Sequence, residues 1–376
     1  MNLDKSDAQR QICAEYLEFL EDFLPDDHAE NRDKYRHDGR LAIAYQRSAF
    51  EQGWLMPHWE IGLGGRGLSV MDTLLIRLAA ARRGAPQLPN VQGPNVVAPM
   101  LRQFGTKEQQ DRYLVRLLRG DDRWALGMSE PDAGSDFASI RTTAVSDGEG
   151  FVIRGQKVWT SHAAESAYAT VYCRTDPEAE RHRGISCFIV DLKARGVTVR
   201  PIEMAAGTDD RFCEVFFEDT EVGPDSLVGP LNGGWSVAMD ALNEERAMIW
   251  VMNWSDLYGA LTHVNRAIDT GADKGLWVDA GRTMADTEAL RLLGLACADA
   301  ESRGTEHRAA LALKLMGSES LQRAWALALE TLGTVGGRDR GRLEGSLDSL
   351  GATIYGGTSE IQRGIIAHRT LGLPRA

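Results

Sequence analysis

The spacing of apolar residues changes twice along this chain of 376 residues, and that change limits the folds it can adopt. In the first and last thirds, apolar residues recur three and four positions apart, which is typical of amphipathic helices. In the middle third, short β-branched or aromatic runs alternate with turn residues, which is typical of strands. The pattern predicts an α+β protein with an N-terminal α-helical domain (1–124), a central antiparallel β-barrel domain (125–234) and a C-terminal four-helix bundle (235–376).

The same spacing predicts individual elements. Helices are expected near residues 6–24, 36–52, 69–84, 106–119, 235–269, 278–302 and 306–333. Strands are expected near residues 151–153, 157–160, 167–173, 185–190, 197–202 and 212–217. A last helix is expected to begin at a capping box formed by Ser359 and Gln362 and to end near Leu371.

Composition excludes several classes of partner. A net charge of −12 argues against nucleic acid or an anionic membrane as the main binding partner. The five cysteines are scattered, odd in number and without a CxxC pair, so neither disulfides nor zinc are expected. The amino terminus has no apolar signal core, and no apolar run reaches about 18 residues. The expected location is therefore a reducing cytoplasm.

A glycine-rich stretch at residues 62–67, GLGGRG, matches the GxGxxG pattern of dinucleotide-binding folds. That function needs a buried strand immediately before the glycines and an acidic residue about 20 positions later. The preceding MPHWEI is no such strand, and Arg82 and Arg83 stand where the acid is needed. The stretch is predicted to be a surface turn.

One carboxylate interrupts an apolar helical face in residues 232–253. The apolar members of that face are Ala238, Ala241, Leu242, Met248, Ile249 and Met252, and Glu245 lies among them. A carboxylate that faces a core must be paired, protonated or chemically employed. From the helix alone, an ion pair with Arg246 or with an arginine of another helix is the more common explanation. A catalytic carboxylate is the alternative.

Three motifs together resemble the acyl-CoA dehydrogenase family. They are LGMSEPDAGSD (126–136), GQKVWTS (155–161) and IYGGTSEIQR (354–363), and they are similar to the family's TEPxAGSD, GxKxWIT and YEGTxxIQR segments. The resemblance covers nearly the whole chain. It implies the three-part fold predicted above, usually assembled as a tetramer of two close dimers, with FAD as cofactor and an acyl-CoA as substrate.

The resemblance also assigns residues to ligands. Contacts to the isoalloxazine are expected from Leu126, Met128 and Ser129, to the pyrophosphate from Gly134 and Ser135, to the flavin face and N5 from Trp159, Thr160 and Ser161, and to the adenosine half from Thr358 and Glu360. Substrate contacts are expected from Ser135, Arg246, Tyr355 and Gly357. In isolation, the first motif could be an ordinary polar turn and the second an ordinary strand end, and the helix dipole alone favours an acid such as Glu360.

The catalytic base is where this sequence departs from the commonest family pattern. That base, the Glu of YEGT, removes the α proton of the thioester while flavin N5 takes the β hydride. Here the position is Gly356, which cannot transfer a proton. A minority of the family carries the base on the first bundle helix, immediately before an arginine, and Glu245 followed by Arg246 resembles that placement. Apolar neighbours are expected to raise the pKa of Glu245 towards the working range, with Glu244 as the neighbouring carboxylate.

By the same resemblance, Gly356 has a role other than that of a base. In the family, the backbone N–H at this turn and a ribityl hydroxyl of FAD stabilise the thioester oxygen as negative charge develops. A glycine keeps that N–H and removes side-chain bulk. The hypothesis is that the acyl pocket is wider here and admits branched, cyclic or otherwise bulky groups.

Other departures leave the assembly open. Residues 265–287 lack the family's RxFGxxxxxxQ stretch, and residues 334–337 only loosely resemble its GGxG partner. The leading interpretation is a homotetrameric or dimeric FAD-dependent acyl-CoA dehydrogenase that passes electrons to an electron-transfer flavoprotein. One alternative is a flavin oxygenase or oxidase of the same fold acting on a non-CoA substrate. Another is a non-catalytic subunit of a heterotetramer.

Overall fold

The computed structural model describes residues 5–28, 35, 38–205, 211–269, 275–335 and 340–374; the side chains of 242–248, 332–335 and 340 lie outside this description. The chain forms two compact units. The helical unit comprises residues 1–45, 56–87 and 246–376, and the β unit comprises residues 46–55 and 88–245. The predicted domain boundaries at 124/125 and 234/235 stay predictions.

Helices occupy both ends of the chain, as the spacing of apolar residues predicts. They are α1 (Asp7–Phe23), α2 (Gly39–Glu51), α3 (Val70–Arg83), α4 (Ala98–Phe104), α5 (Lys107–Arg119), α6 (Gly234–Asp269), α7 (Leu276–Ser302), α8 (Leu313–Val335), α9 (Arg340–Ala352) and α10 (Ser359–Ile365). Capping boxes led by Ser6, Ser69 and Thr106 start α1, α3 and α5, because each hydroxyl accepts from the third helical N–H. None of the described helices is both long and apolar enough to cross a membrane.

The middle of the chain forms one eight-stranded sheet. Its strands are β1 (Trp124–Gly127), β2 (Thr143–Ser146), β3 (Phe151–Ser161), β4 (Tyr168–Arg174), β5 (Ile185–Asp191), β6 (Val197–Pro201), β7 (Phe212–Val222) and β8 (Leu227–Val228). The order is β6-β7-β3-β2-β4-β5-β8, with β1 beside β4. Two pairings differ from the antiparallel prediction, because both β1 and β2 run parallel to β4. The long connection that includes β2 and β3 permits this direction.

Each unit has its own apolar core. In the β unit, inward residues of several strands, among them Ile153, Val171 and Phe188, meet in one buried cluster. In the helical unit, Leu74 of α3 and Trp254 of α6 belong to a buried cluster with members from α7 and α8. Such clusters supply the main favourable term in folding. All five cysteines are buried thiols.

The start of α6 is fixed against β5. The backbone N–H of Asn232 donates to Ser186 Oγ at 2.8 Å, and Thr175 Oγ1 donates to Asn232 Oδ1 at 2.6 Å. Gly234 opens the helix with so little space that a Cβ there would lie 2.7 Å from the backbone carbon of Ser186. These contacts hold the first turn of α6 against β5 within the β unit.

The glycine-rich stretch forms a turn, as predicted. Residues Ile61–Leu63 make one short 3₁₀ turn, and Gly64 follows in the left-handed conformation with φ of 82°. The backbone N–H groups of Arg66 and Leu68 then bond the carbonyl of Pro57. The strand that a dinucleotide fold needs before these glycines is not present in the described residues 54–60.

Candidate active site

The first motif begins at the end of β1 and folds back on itself. Glu130 and Ala133 exchange two backbone hydrogen bonds of 2.9 and 3.1 Å, which close a tight loop. The carbonyl of Ser129 accepts from the N–H of Val158 in β3 at 2.9 Å. The second motif therefore holds the backbone of the first, and both belong to the β unit.

A buried ion pair between Lys157 and Glu130 holds this loop in place. Lys157, fully buried, donates from Nζ to Glu130 Oε1 at 2.8 Å and to the carbonyl of Met128 at 3.0 Å. The other donors to Glu130 are the backbone N–H groups of Arg141 (2.6 Å) and Thr142 (2.9 Å). Removing a carboxylate from water is unfavourable unless it is paired in this way. Burial opposes the ionisation of Glu130, but Lys157 and the N–H donors outweigh it and hold the pKa of Glu130 below its usual value.

The pair was not among the residues singled out in the sequence. Lys157 and Glu130 lie within the two family motifs, but they are 27 positions apart and only the strand register brings them together. Burial lowers the pKa of Lys157, and the charge of Glu130 opposes that change. The signal available in the sequence was Lys157, the only charged residue of the second motif, although the first motif offers three acids as partners, Glu130, Asp132 and Asp136.

The end of β3 is irregular where the second motif places its aromatic residue. The pairing with β7 shifts between Lys157 and Thr160, and Trp159 takes a left-handed backbone conformation with φ of 58°. The indole of Trp159 is 55% exposed, whereas Thr160 is 1% exposed. A left-handed conformation is uncommon for a bulky residue, and such strain concentrates at functional sites.

Two features of these segments fit a bound flavin nucleotide. The hydroxyl of Thr160 is buried and has no hydrogen-bond partner among the described residues. Unpaired buried polar atoms are rare in proteins, and a ligand atom is one way to satisfy them. Gly134 and Ser135 are exposed, and no atom of the other described residues lies within 4 Å of a Cβ built on Gly134, its two chain neighbours aside. Leu126, Met128, Ser129 and Ser161 are half-buried.

The third motif forms a glycine turn in the helical unit. Gly356 and Gly357 both have positive φ, 63° and 94°. The carbonyl of Gly357 accepts from Lys314 Nζ at 2.7 Å, and the carbonyl of Gly356 accepts from Gln362 Nε2 at 3.2 Å. Lys314 is buried and also bonds the carbonyl of Ala352 at 3.0 Å. The turn is thus held by its carbonyl groups.

The N–H groups of this turn point to a binding function. Within the part of the chain that the structure describes, neither Gly356 nor Gly357 donates its N–H to a protein acceptor. Adjacent N–H groups without acceptors are the arrangement used to bind a developing oxyanion. Tyr355, immediately before the turn, is 45% exposed.

The start of the last helix differs from the prediction by one residue. Thr358, not Ser359, is the N-cap, and its side chain accepts from the N–H of Ile361. Ser359 is already helical, and its buried hydroxyl has no partner among the described residues. The side chain of Gln362 donates to the carbonyl of Gly356 instead of contacting the N-cap, so the predicted capping box does not form. Glu360 is exposed, and hydrogen bonds from its own backbone N–H and the Thr358 hydroxyl keep its pKa below the usual value.

The proposed base lies on α6, but its side chain is outside the described residues, as are those of Arg246, Glu244, Leu242 and Met248. The apolar face predicted for this helix is partly confirmed. Ala238, Ala241 and Ile249 are buried, whereas Met252 is 39% exposed and does not belong to the buried face.

Family models of acyl-CoA dehydrogenases match nearly the whole chain. The N-terminal domain model matches residues 6–121, the middle domain model residues 125–220 and the C-terminal domain model residues 232–371. Acyl-CoA dehydrogenase FadE26 of Mycobacterium tuberculosis is 33% identical over the full length of both chains. The chain belongs to the acyl-CoA dehydrogenase family. The fold class and the enzyme class predicted from the motifs are confirmed: this acyl-CoA dehydrogenase is an oxidoreductase, and its family binds FAD.

Solved structures of acyl-CoA dehydrogenases resemble it throughout. One, described as the Tcur3481-Tcur3483 steroid ACAD, is 32% identical with a TM-score of 0.87, and the match covers all of both chains. Another, the ChsE4-ChsE5 complex from Mycobacterium tuberculosis, is also 32% identical over both full chains, with a TM-score of 0.85.

Proposed function

We propose that this acyl-CoA dehydrogenase oxidises the α,β bond of a bulky acyl-CoA thioester, with Glu245 as base and Gly356 as a donor to the thioester oxygen. The observation that carries the proposal is the glycine turn. Gly356 stands where the commonest family pattern has the base, and its N–H has no acceptor among the described residues. A turn that offers an N–H and no carboxylate requires a base elsewhere, and Glu245 has the sequence context for it.

The residues divide the chemistry between them. Glu245 accepts the α proton, and its apolar neighbours on α6 would keep its pKa near the working range. The N–H of Gly356 stabilises the charge that develops on the thioester oxygen, and Lys314 and Gln362 fix its direction through the neighbouring carbonyls. FAD, when bound, supplies the acceptor for the β hydride.

Each of the three motifs would supply its own contacts to the cofactor. In the β unit, Leu126, Met128 and Ser129 would contact the isoalloxazine, Gly134 and Ser135 the pyrophosphate, and Trp159, Thr160 and Ser161 the flavin ring. In the helical unit, Thr358 and Glu360 would hold the adenosine half. The substrate would contact Ser135, Arg246, Tyr355 and Gly357. The unpaired hydroxyl of Thr160 and the open surface at Gly134 support this assignment.

The test of the base compares two neighbouring carboxylates. The yellow holoenzyme is mixed anaerobically with a panel of acyl-CoAs, and bleaching of the flavin band is followed in wild type, Glu245→Gln and Glu244→Gln. Loss of a general base slows the reaction roughly 10²–10⁴-fold. We expect that loss in Glu245→Gln with FAD still bound, and a nearly normal rate in Glu244→Gln. Undiminished bleaching by Glu245→Gln would refute the assignment.

The acyl group is proposed to be polycyclic or otherwise bulky. The support is the similarity to a protein described as a steroid ACAD. The panel should therefore include a steroid side-chain thioester, cyclohexanecarboxyl-CoA and butyryl-CoA. We expect the bulky thioesters to bleach the flavin with the highest kcat/KM. A strong preference for butyryl-CoA would contradict this part of the proposal.

A second chain is a further candidate component. Two of the similar structures are named as pairs of chains, Tcur3481-Tcur3483 and ChsE4-ChsE5. Residues 265–287 lack the family stretch that reaches a neighbouring FAD, and α7 exposes Trp277, Val278 and Met284 in that region. Large exposed apolar residues in a group are typical of interaction sites.

Purification decides between self-assembly and a mixed assembly. We expect a homodimer or homotetramer to purify with flavin from the chain alone. A colourless chain that retains FAD only when co-expressed with a second acyl-CoA dehydrogenase chain would favour a heterotetramer.

The proposed electron acceptor is an electron-transfer flavoprotein. Reduced enzyme that reacts rapidly with O₂ and hydroxylates a substrate would instead favour the oxygenase alternative.

A further inference from the structure

The space left by the missing side chain at Gly356 is not open. A Cβ built on Gly356 would lie 2.9 Å from Cδ1 of Ile249, which is closer than real Cβ atoms approach other atoms. Ile249 is 3% exposed and belongs to α6, and the next atom, Cε of Lys314, is 3.8 Å away. The terminal methyl of Ile249 therefore occupies the position next to the turn that a side chain would take.

Ile249 also has a defined relation to the proposed base. It follows Glu245 by four residues on the same helix, and residues four apart lie one above the other on one helical face. The face of α6 that we propose to carry the base thus presents Ile249 to the glycine turn one helical turn later.

We propose that Ile249 determines substrate specificity by limiting the size of the substituent that fits next to the reacting carbons of the acyl chain. This rests on the proposed function, since it places the reacting carbons beside the Gly356 N–H. The bulk that the enzyme accepts at this point is set by the side chain of Ile249 and not by the glycine alone.

The turn itself cannot widen the pocket. The carbonyls of Gly356 and Gly357 are held by Gln362 and Lys314, and both glycines have positive φ, which other residues rarely adopt. The Ile249 side chain is the component that can change size without a change in the backbone. Valine lacks the Cδ1 methyl, so Ile249→Val removes the atom that lies closest to the Cβ position of residue 356.

The test measures kcat/KM of the holoenzymes of wild type and Ile249→Val for straight-chain and α- or β-branched acyl-CoAs. One methyl-sized change in an apolar pocket shifts discrimination by roughly 10–200-fold. We expect the branched-to-straight ratio to rise by about tenfold, the lower end of that range. Ile76→Val, which removes the same methyl from a buried site in α3, is the matched control and should leave the ratio unchanged.

Two outcomes separate this proposal from the proposed function. If no acyl-CoA bleaches the wild-type flavin, the proposed function fails. If wild type turns over but the ratio in Ile249→Val stays within twofold of wild type, or shifts equally in Ile76→Val, the role of Ile249 is refuted. A bleaching wild type with a changed ratio only in Ile249→Val supports both.

The contact itself has a readout that needs no activity. Gly356→Ala adds the Cβ that meets Ile249 Cδ1, so it should lower the urea unfolding midpoint. We expect part of that loss to be restored by Ile249→Val in the double variant, because the clashing atom is then gone. Strictly additive midpoint changes would show that Ile249 does not fill this space and would overturn the proposal.

Discussion

Two buried lysines, one in each unit, each hold a loop that belongs to one of the family motifs. In the β unit, Lys157 bonds the carbonyl of Met128 and pairs with the carboxylate of Glu130. In the helical unit, Lys314 bonds two backbone carbonyls, those of Ala352 and Gly357. Both lysines donate to backbone carbonyls and so fix the carbonyl side of their loops.

The difference between them lies in what remains when the lysine is lost. Without Lys157, the carboxylate of Glu130 would stay buried with a net charge and without its Lys157 partner. Without Lys314, the two carbonyls would lack a donor but would carry no charge. A buried ion that loses its partner is more destabilising than a carbonyl that loses a hydrogen bond. The loop of the β unit should therefore be the more sensitive of the two.

The largest expected effect is that of Lys157→Met. Breaking a buried ion pair from one side typically destabilises a protein by about 3–5 kcal/mol. We expect a loss of that size in urea unfolding, together with weaker FAD binding, because Met128 and Ser129 would no longer be held. The double variant Lys157→Met/Glu130→Gln removes the charge and should recover much of the stability. A double variant as unstable as the single one would contradict this account of the pair.

A smaller effect is expected from Lys314→Met. A hydrogen bond from a charged donor contributes about 1.5–3 kcal/mol, so we expect about 2–3 kcal/mol less stability, below the loss in Lys157→Met. The turn should also lose its fixed direction, which would lower kcat more than it raises KM. Steady-state kinetics and urea unfolding measure both. Equal stability losses in the two lysine variants would contradict the expectation that the β-unit loop is the more sensitive to loss of its lysine.

The strand end beside the β-unit loop adds a pH dependence. Burial, with the nearby charges of Arg211 and Arg123, lowers the pKa of His162 to about 4. The unfolded chain takes up this proton near pH 6.5, so stability is fully present above that pH and falls as pH drops towards 4. We expect a contribution of the order of 2 kcal/mol from this residue. His162 has a left-handed backbone with φ of 56°, which asparagine tolerates. His162→Asn should therefore make the urea midpoint change less between pH 7 and pH 5 than it does in wild type.

The smallest effects concern the helix that follows the glycine turn. Thr358→Ala removes the N-cap of α10 and should cost about 1 kcal/mol. Ser359→Ala is the matched control, and it should be neutral or slightly stabilising because its buried hydroxyl has no partner among the described residues. Thermal unfolding of both variants distinguishes them. A larger stability loss in Ser359→Ala than in Thr358→Ala would indicate that Ser359 is the N-cap.

The type and order of the long elements were predictable, because seven helices and most strands are long enough to show their period. Three strands were not predicted, Trp124–Gly127, Thr143–Ser146 and Leu227–Val228, since two to four residues cannot display an alternation. The runs at 151–153 and 157–160 belong to one strand, β3. Gly155, which lies between the two runs, sits at an irregularity in the pairing of β3 with β7.

Helix α9 shows how packing overrides local preference. Three glycines in its 13 residues make it a poor helix in isolation. In the folded chain, Gly345 lies so close to Trp325 that an added Cβ would be 2.6 Å from the ring. The glycine permits close approach of α9 to α8, which the sequence alone does not reveal.

The candidate site was predictable in its segments but not in its supports. The motifs located the loop at Ser129, the strand end at Trp159 and the turn at Gly356. The residues that hold them, Glu130 with Lys157 and the distant Lys314, depend on strand register and helix packing. Ile249 was predicted to be buried, but its contact with the position of Gly356 follows only from the three-dimensional structure.

The left-handed residue at the end of β3 gives the protein an optical reporter. The chain has nine tryptophans, and Trp159 and Trp277 are the two with large exposed areas. An indole in water emits at longer wavelengths than a buried one and is quenched by acrylamide. Replacing Trp277 by phenylalanine would leave Trp159 as the one strongly exposed tryptophan. A change in its emission wavelength or in its acrylamide quenching would then report the binding of a molecule over the end of β3.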